Sequence, residues 1–312
     1  MTSNIAIIVL NWNNAEDTLT CLDSLANINE PGVEVIVVDN GSDDDSWSVL
    51  QSHVTNTTVL ETGANLGYAG GNNFGIRYAL ARGAEYVCIL NNDVTVSSDF
   101  LAPLINALQP PDIGVATPLI ADMNQPDQIW ALGSGVNWQT AAVSRLCAGE
   151  AISRFRHNDS MGVEIASGAA MLIKRIVLEQ VGLLDEAFFL YYEEIDWCLR
   201  VRQAGHHILA VPTSRVWHKV SATLGETSPI IDYYMLRNHL RLIARHWYGL
   251  ARTWLLARTI GRNLLTIAAY TLKPHGGRRR VSRNVRLLAL RDAARGHWGK
   301  MGPDVAAVCH QR

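Results

Sequence analysis

A chain of 312 residues that is 48% hydrophobic and 18% charged is an ordered globular protein with room for one large domain or two modest ones, which excludes a disordered polypeptide. Its net charge of -2 hides a division, because 16 of the 27 Lys and Arg fall in residues 233–312 with only Asp292 and Asp304 against them. An acidic body with a basic tail points the tail at phosphate-bearing partners or a membrane surface; no recognised nucleic-acid motif accompanies the charge, so nucleic acid is not expected.

The opening run MTSNIAIIVLNWNN has no basic leader and reads as a first strand over residues 5–10. Helical spacing of Leu19, Leu22, Leu25 and Ala26 predicts a helix over 18–28, and the β-branched run VEVIVV predicts a second strand over 33–38. Strand, helix, strand at this spacing is a βαβ unit with a right-handed crossover and a parallel sheet. A short strand over 57–60, a helix over 72–82 and a strand over 86–90 complete a doubly wound half of the kind that holds nucleotides. The five cysteines are scattered without a CxxC pair and are expected to be reduced, as in a cytoplasmic protein.

Open α/β sheets bind ligands outside the carboxyl ends of their strands, and two aspartates fall there. Asp39 closes the second strand in VVDNGSDDD; its carboxylate suits a base edge or ribose hydroxyl, or an Asx turn. Asp43, Asp44 and Asp45 are expected at the next helix's N-terminus. Asp93 closes the strand EYVCILNND and is a candidate for a metal or a phosphate, or else a turn residue. Between them NLGYAGGNNFGI packs glycines into a predicted loop entering a helix, but its spacing is neither GxGxxG nor a Walker A loop.

Beyond residue 113 the pattern loosens: Trp130 and Trp138 would stack on a sugar or fill the core, and the small-residue run ASGAAMLIKR predicts a strand over 166–175 where a substrate could approach the backbone. FFLYYEEIDWCLR sets Glu193, Glu194 and Asp196 at the start of a helix, either as chemistry or as acids favoured at a helix N-terminus. Trp217-His218-Lys219 follows an apparent strand. In the tail, Arg237, Arg241 and Arg245 form one stripe of a helix, the usual mark of a solvated face. ARTWLLARTIGRNLLTIAAYTL then keeps apolar bulk with its arginines confined, and GGRRRVSRNVR adds a basic cluster. Together these suit helices lying on an anionic membrane surface, with oligomerisation as the competing use of the apolar face.

The ordered series IAIIVLNWNN, VVDNGSDD, NLGYAGGNNFGI, LNNDV, ASGAAMLIKR, GLLDEAFFLYYEEIDWCLR and YYMLRNHLR resembles the family 2 glycosyltransferases of the GT-A fold, most closely their rhamnosyltransferase-like branch. The resemblance implies an α/β GT-A domain over residues 1–228, doubly wound with a mostly parallel sheet, whose donor half is about 1–112 and acceptor half about 113–228. A basic helical region over 229–312 follows. It implies inverting, metal-dependent transfer of a sugar, L-rhamnose from dTDP-L-rhamnose, onto a cell-surface glycan or lipid-linked acceptor. Asp39 matches the nucleotide-contacting aspartate, and Asn91-Asn92-Asp93 matches the Asp-any-Asp metal motif with Asn91 replacing its first carboxylate. Asp93 is thus the expected ligand of Mg²⁺ or Mn²⁺, with His218 beside it. Asn11, Gly67, Asn73, Asn92 and Lys219 fall on the donor side. Glu194 is the expected general base and Asp196 its alternative. A cytoplasmic location, peripheral to the inner face of the membrane, and a homo-oligomer are further expectations. A nucleotidyltransferase would want a basic loop after the first strand, which NWNNAEDT lacks, and a non-catalytic sugar-binding scaffold would not need these acids.

Overall fold

The computed structural model describes residues 4–53, 57–155, 160–219, 228–272 and 277–310. The chain forms two compact units, the first of Met1–Val136, Val143–Leu184 and Glu194–Ala222, the second of Asn137–Ala142, Asp185–Glu193 and Thr223–Arg312. Two short pieces at 137–142 and 185–193 therefore join the C-terminal helices, where the sequence places them with the residues on either side.

In the first unit the order is β1 (Ile5–Asn11), α1 (Ala15–Leu25), β2 (Val33–Asp39), α2 (Ser46–His53), β3 (Thr58–Glu61), α3 (Gly67–Ala81), β4 (Tyr86–Asn91), β5 (Val94–Val96), α4 (Leu101–Ala107), β6 (Ile113–Asp122) and β7 (Gln125–Ala131). After the ribbon of β8 (Ser134–Asn137) and β9 (Ala142–Arg145) come β10 (Met161–Val163), β11 (Ala170–Lys174), α5 (Arg175–Val181), α6 (Glu193–Gln203) and β12 (His207–His218). The sheet order is β10-β12-β6-β11-β4-β1-β2-β3, with β5 on β12 and β7 on β6. Strands β3, β2, β1, β4, β6 and β12 all point one way, and β11 runs against β4 and β6. The βαβ repeats require this parallel arrangement, and Ile5, Ile7, Val9, Val37, Cys88 and Leu90 are buried on it because both faces are covered.

Three elements differ from expectation. Helix α1 begins at Ala15 because the Asn14 side chain caps it, accepting from the Asp17 N–H. Helix α3 begins at Gly67, five residues before the predicted start, so most of the glycine-rich run is helix and not loop. Its glycines permit close packing: a Cβ on Gly71 would lie 2.4 Å from Leu10 Cδ1, and one on Gly75 2.7 Å from Ile8 Cγ2. Strand β12 continues past Pro212 to His218 through a register shift between Val211 and Arg215, which is how the sheet tolerates the proline.

The second unit gathers α7 (Pro229–His246), α8 (Gly249–Leu272), α9 (Gly277–Arg295) and α10 (Pro303–Cys309) around Tyr233, Tyr234, Leu240, Val285, Ala289 and Val305. Of its arginine stripe only Arg245 is solvated; Arg241 is half-buried and Arg237 is covered. Arg237 is 1% exposed, lies 5.1 and 4.9 Å from the Tyr233 and Tyr234 rings, and donates to Phe188 O. Arg241 and Arg245 both donate to Asp185, whose carboxyl the two guanidiniums and the Ala187 N–H hold below its usual range despite burial. Next to Arg237, the buried Asn238 amide donates to the carbonyls of Phe188, Leu190 and Tyr191 at 2.9, 2.8 and 2.9 Å. Those bonds hold a backbone in which Phe189, Tyr191 and Tyr192 have φ of 66°, 66° and 75°, a left-handed region costly for side chains of this size. Among the described residues no helix is long and apolar enough to cross a membrane.

Candidate active site

Strand register brings the predicted residues to one rim. Asn11 pairs with Asp39, Leu10 with Asn91, and Leu90 with Ala170, so the carboxyl ends of β1, β2 and β4 lie beside the amino end of β11. The Asn91 N–H donates to Ala169 O at 2.9 Å, tying the Asn91-Asn92-Asp93 turn to the small-residue turn that precedes β11.

Asp39 lies fully buried in a polar network. Its Oδ1 accepts from Asn11 Nδ2 at 2.7 Å and from Ser42 Oγ at 2.6 Å, and its Oδ2 accepts from the Ser42 N–H at 3.1 Å. Thr18 Oγ1 donates to Asn11 Oδ1 at 2.8 Å and accepts from Asn92 Nδ2 at 3.0 Å. Asn11, Asp39 and Asn92 are thus joined through Thr18, whose place on α1 carries no sign of this role in the sequence. In this conformation the Asp39 carboxylate braces the rim and exposes nothing to a ligand.

Asp93 stands differently. The chain leaves β4 at Asn91, turns, and enters β5, whose Val94 pairs with His218 of β12, while the Lys219 N–H donates to Asp93 O at 2.9 Å. Asp93 Oδ1 and His218 Nε2 lie 3.1 Å apart, and both residues are 8% exposed. The two atoms stand at ion-pair distance without completing a hydrogen bond, and the other ring nitrogen, His218 Nδ1, is buried without a hydrogen-bond partner. Two neighbouring ligands of an octahedral cation at about 2.1 Å would themselves sit about 3 Å apart. The residues therefore fit a divalent cation as a partial set, leaving its other positions to diphosphate oxygens and water. Among the described residues no cluster of three or more His, Cys, Asp or Glu is present. The Cys21 thiol, pushed up by burial and by the Asp93 charge, stays protonated and offers no thiolate. The Trp130 ring meets His218 edge-on at 5.0 Å and carries Arg145 on its face at 4.6 Å. Lys219 bonds Asp17 at 2.9 Å, which raises its pKa and keeps it cationic.

Glu194 occupies the first turn of α6. A Cβ on Gly168 would lie 3.5 Å from Glu194 Cγ and 3.3 Å from the hydroxyl of Tyr68, which itself donates to Gly168 O. Gly168, in the turn tied to Asn91, therefore keeps open the space between Tyr68 and Glu194. Glu194 Oε2 is buried with no hydrogen-bond partner, and burial pushes the carboxyl above its usual range against backbone donation from Glu194 and Ile195. An ionisable group with raised pKa and an unengaged oxygen is suited to accept a proton near neutrality.

Asp196 is fully buried and paired with Arg200 at 2.9 Å, and Arg200 also donates to Val181 O and Leu183 O, so Asp196 anchors the helix where the sequence offered it as an alternative base. Asn73, expected on the donor side, is 1% exposed and exchanges both amide groups with Leu184, which makes it a clamp on the chain leading towards α6. Gly67 stands at the N-terminus of α3, held by Asn65 and Asn40. Trp138 packs on Trp247 at 5.0 Å within the second unit. A separate groove lined by Ile113, Val163, Glu164, Arg202 and His207 opens at the start of β6 and β12, the end away from Asp122 and His218.

Comparison with known proteins identifies the family and the fold. The chain is 30% identical over 212 residues to the low-salt glycan biosynthesis hexosyltransferase Agl10 of Haloferax volcanii, covering 67% of this chain and 64% of that protein. It is 24% identical over 254 residues to the dTDP-rhamnosyl transferase RfbF of Shigella flexneri, covering 79% and 82% of the two chains. It is also 26% identical over 321 residues to the N-acetylglucosaminyl-diphospho-decaprenol L-rhamnosyltransferase of Mycobacterium tuberculosis, covering 92% and 99%. Among solved structures, GalNAc-T7 with UDP, GalNAc and Mn²⁺ superposes with a TM-score of 0.61 at 17% identity over 82% of this chain and 50% of that one. The mannosyltransferase PcManGT of Pyrobaculum calidifontis with GDP-Man and Mn²⁺ gives 0.58 at 16% identity over 94% and 88%. The fold is that of the GT-A glycosyltransferases. Residues 6–182 match the model of glycosyl transferase family 2, and the chain belongs to that family.

Proposed function

We propose that the protein is an inverting glycosyltransferase that moves L-rhamnose from dTDP-L-rhamnose to a glycan or lipid-linked acceptor. The observation that carries this reading is the pair of buried carboxylate oxygens without a hydrogen bond, on Asp93 beside His218 and on Glu194, flanking turns joined by the Asn91 to Ala169 bond. Relatives named for rhamnosyl transfer supply the donor sugar, and the relative whose name includes a diphospho-decaprenol supplies the lipid-linked acceptor.

Glu194 Oε2 takes the proton of the acceptor hydroxyl as that oxygen bonds to the anomeric carbon. The bond from that carbon to the diphosphate oxygen breaks on the opposite face, and the nucleotide diphosphate departs with the electron pair. Lys219 stands beside Asp93 to meet the diphosphate, and the network of Asn11, Asp39, Thr18 and Asn92 fixes the rim on the nucleoside side. Asp93 and His218 would hold Mg²⁺ or Mn²⁺, which as a Lewis acid offsets charge on the diphosphate. On this reading the enzyme works in the cytoplasm, at the inner face of the membrane where a lipid-linked acceptor is reached.

Calorimetry of dTDP-L-rhamnose binding with and without Mn²⁺ tests this. Wild-type protein should bind at least about tenfold more tightly with the ion, roughly 1.4 kcal/mol, and Asp93→Asn should lose that difference. Equal binding in both conditions, or a preference for another nucleotide sugar, overturns the metal or the donor assignment respectively.

A further inference from the structure

Helix α8 carries a feature the acid cluster does not explain. At 100° per residue, Leu250, Trp254, Gly261, Leu265, Ala268 and Leu272 fall within an arc of about 60° and run the helix for about 33 Å. No charged residue falls in that arc, and it faces outward: Leu250 is 88% exposed, Leu272 81%, Leu265 72% and Trp254 55%. On the opposite side Leu255 and Ile267 are buried within the second unit. An apolar stripe of this length on the outside of a helix is unusual for a surface that meets only water.

Charge identifies what covers it. Arg258 and Arg262 border the stripe on one flank, Arg258 lying 5.3 Å over the Trp254 ring, and the exposed Arg278, Arg279 and Arg280 begin α9 a few residues beyond Leu272. Residues 233–291 contain no Asp or Glu at all. A second copy of the chain would bring the same cations to the same rim, whereas lipid phosphates would neutralise them. The helix also carries Arg252, Arg258 and Arg262 and is buried along its inner side, so it suits lying in an interface and not crossing one.

We propose that the outward face of α8 inserts at the headgroup boundary of an anionic membrane leaflet, with the arginines beside it on lipid phosphates. This deepens the lipid-linked acceptor reading by naming the surface that would bring the enzyme to its substrate, but its test uses no donor or acceptor.

The full chain is floated with vesicles of phosphatidylcholine alone or with about one third phosphatidylglycerol. Wild-type protein should float with the anionic vesicles at least about tenfold more than with neutral ones, and high salt should lower the anionic signal. The double variant Trp254→Glu, Leu265→Glu alters exposed positions and should keep the wild-type melting point while losing flotation. Flotation of the variant equal to wild type, or no flotation of wild type with either vesicle, overturns the proposal. Light scattering that shows a dimer dissolved by the same substitutions would instead make this face a contact between copies, which also overturns it. Failure of the rhamnosyltransferase reading, shown by donor calorimetry, leaves the flotation result unchanged.

Discussion

Asp39 and Asp93 stand at the ends of parallel strands on one rim, yet the protein treats them oppositely. Asp39 accepts three hydrogen bonds from Asn11 and Ser42, while Asp93 keeps a buried oxygen without one. The same contrast recurs in α6, where Asp196 is paired with Arg200 and Glu194, two residues away, has an oxygen with no partner. A fully partnered buried carboxylate stabilises the fold; one left wanting lowers stability and is retained where a ligand or proton completes it. Structure and chemistry are thus divided between neighbouring acids of the same type.

Glu194→Gln probes the contrast most strongly. Turnover should fall by about 10²- to 10⁴-fold with donor affinity unchanged, read by steady-state kinetics beside calorimetry. In wild type, kcat/KM should rise with pH through an apparent pKa above the usual Glu value of about 4.3. The stability sign follows from the raised pKa: between the unfolded and folded values the folded state binds more protons, so stability falls as pH rises through that window. The Gln variant should lack that slope in denaturant unfolding.

Asp196→Ala should act the other way, costing about 3 kcal/mol of stability because the mostly covered Arg200 guanidinium would lose its counter-charge and keep only the carbonyls of Val181 and Leu183. If that variant unfolds at the wild-type denaturant midpoint, the division between the two acids of α6 is wrong. A smaller contrast is expected at the rim. Asp39→Ala should destabilise by roughly 1–3 kcal/mol, since it orphans donors on Asn11 and Ser42, whereas Asp93→Asn should leave the midpoint nearly unmoved. Equal losses in the two variants would erase the distinction between a brace and a ligand.

The strands of the first hundred residues were largely legible, because unbroken runs such as IAIIVL and VEVIVV are buried on both faces and have few other solutions, whereas the order of the sheet beyond them was not. The start of α6 was legible too, since FFLYY is followed by acids and then by Trp197 and Leu199 at helical spacing. The glycine run was misread as a loop because Gly71 and Gly75 lower helix propensity, while the close approach to Leu10 and Ile8 that requires them is a contact between distant segments. The Arg237 stripe was misread for a similar reason: its spacing looks amphipathic, and only the Tyr233 and Tyr234 rings and Phe188 O show that the cation is buried.

By itself the sequence determined that Asp39 and Asp93 stand where strands leave the sheet and that Glu193, Glu194 and Asp196 open a helix, because local pattern fixes where a strand stops and a helix begins. Tertiary structure alone decided which of them are satisfied. Asn11 reaches Asp39 from the neighbouring strand, and His218 reaches Asp93 from a strand contributed from residue 207 onwards; contacts across such separations leave no periodic trace in the chain.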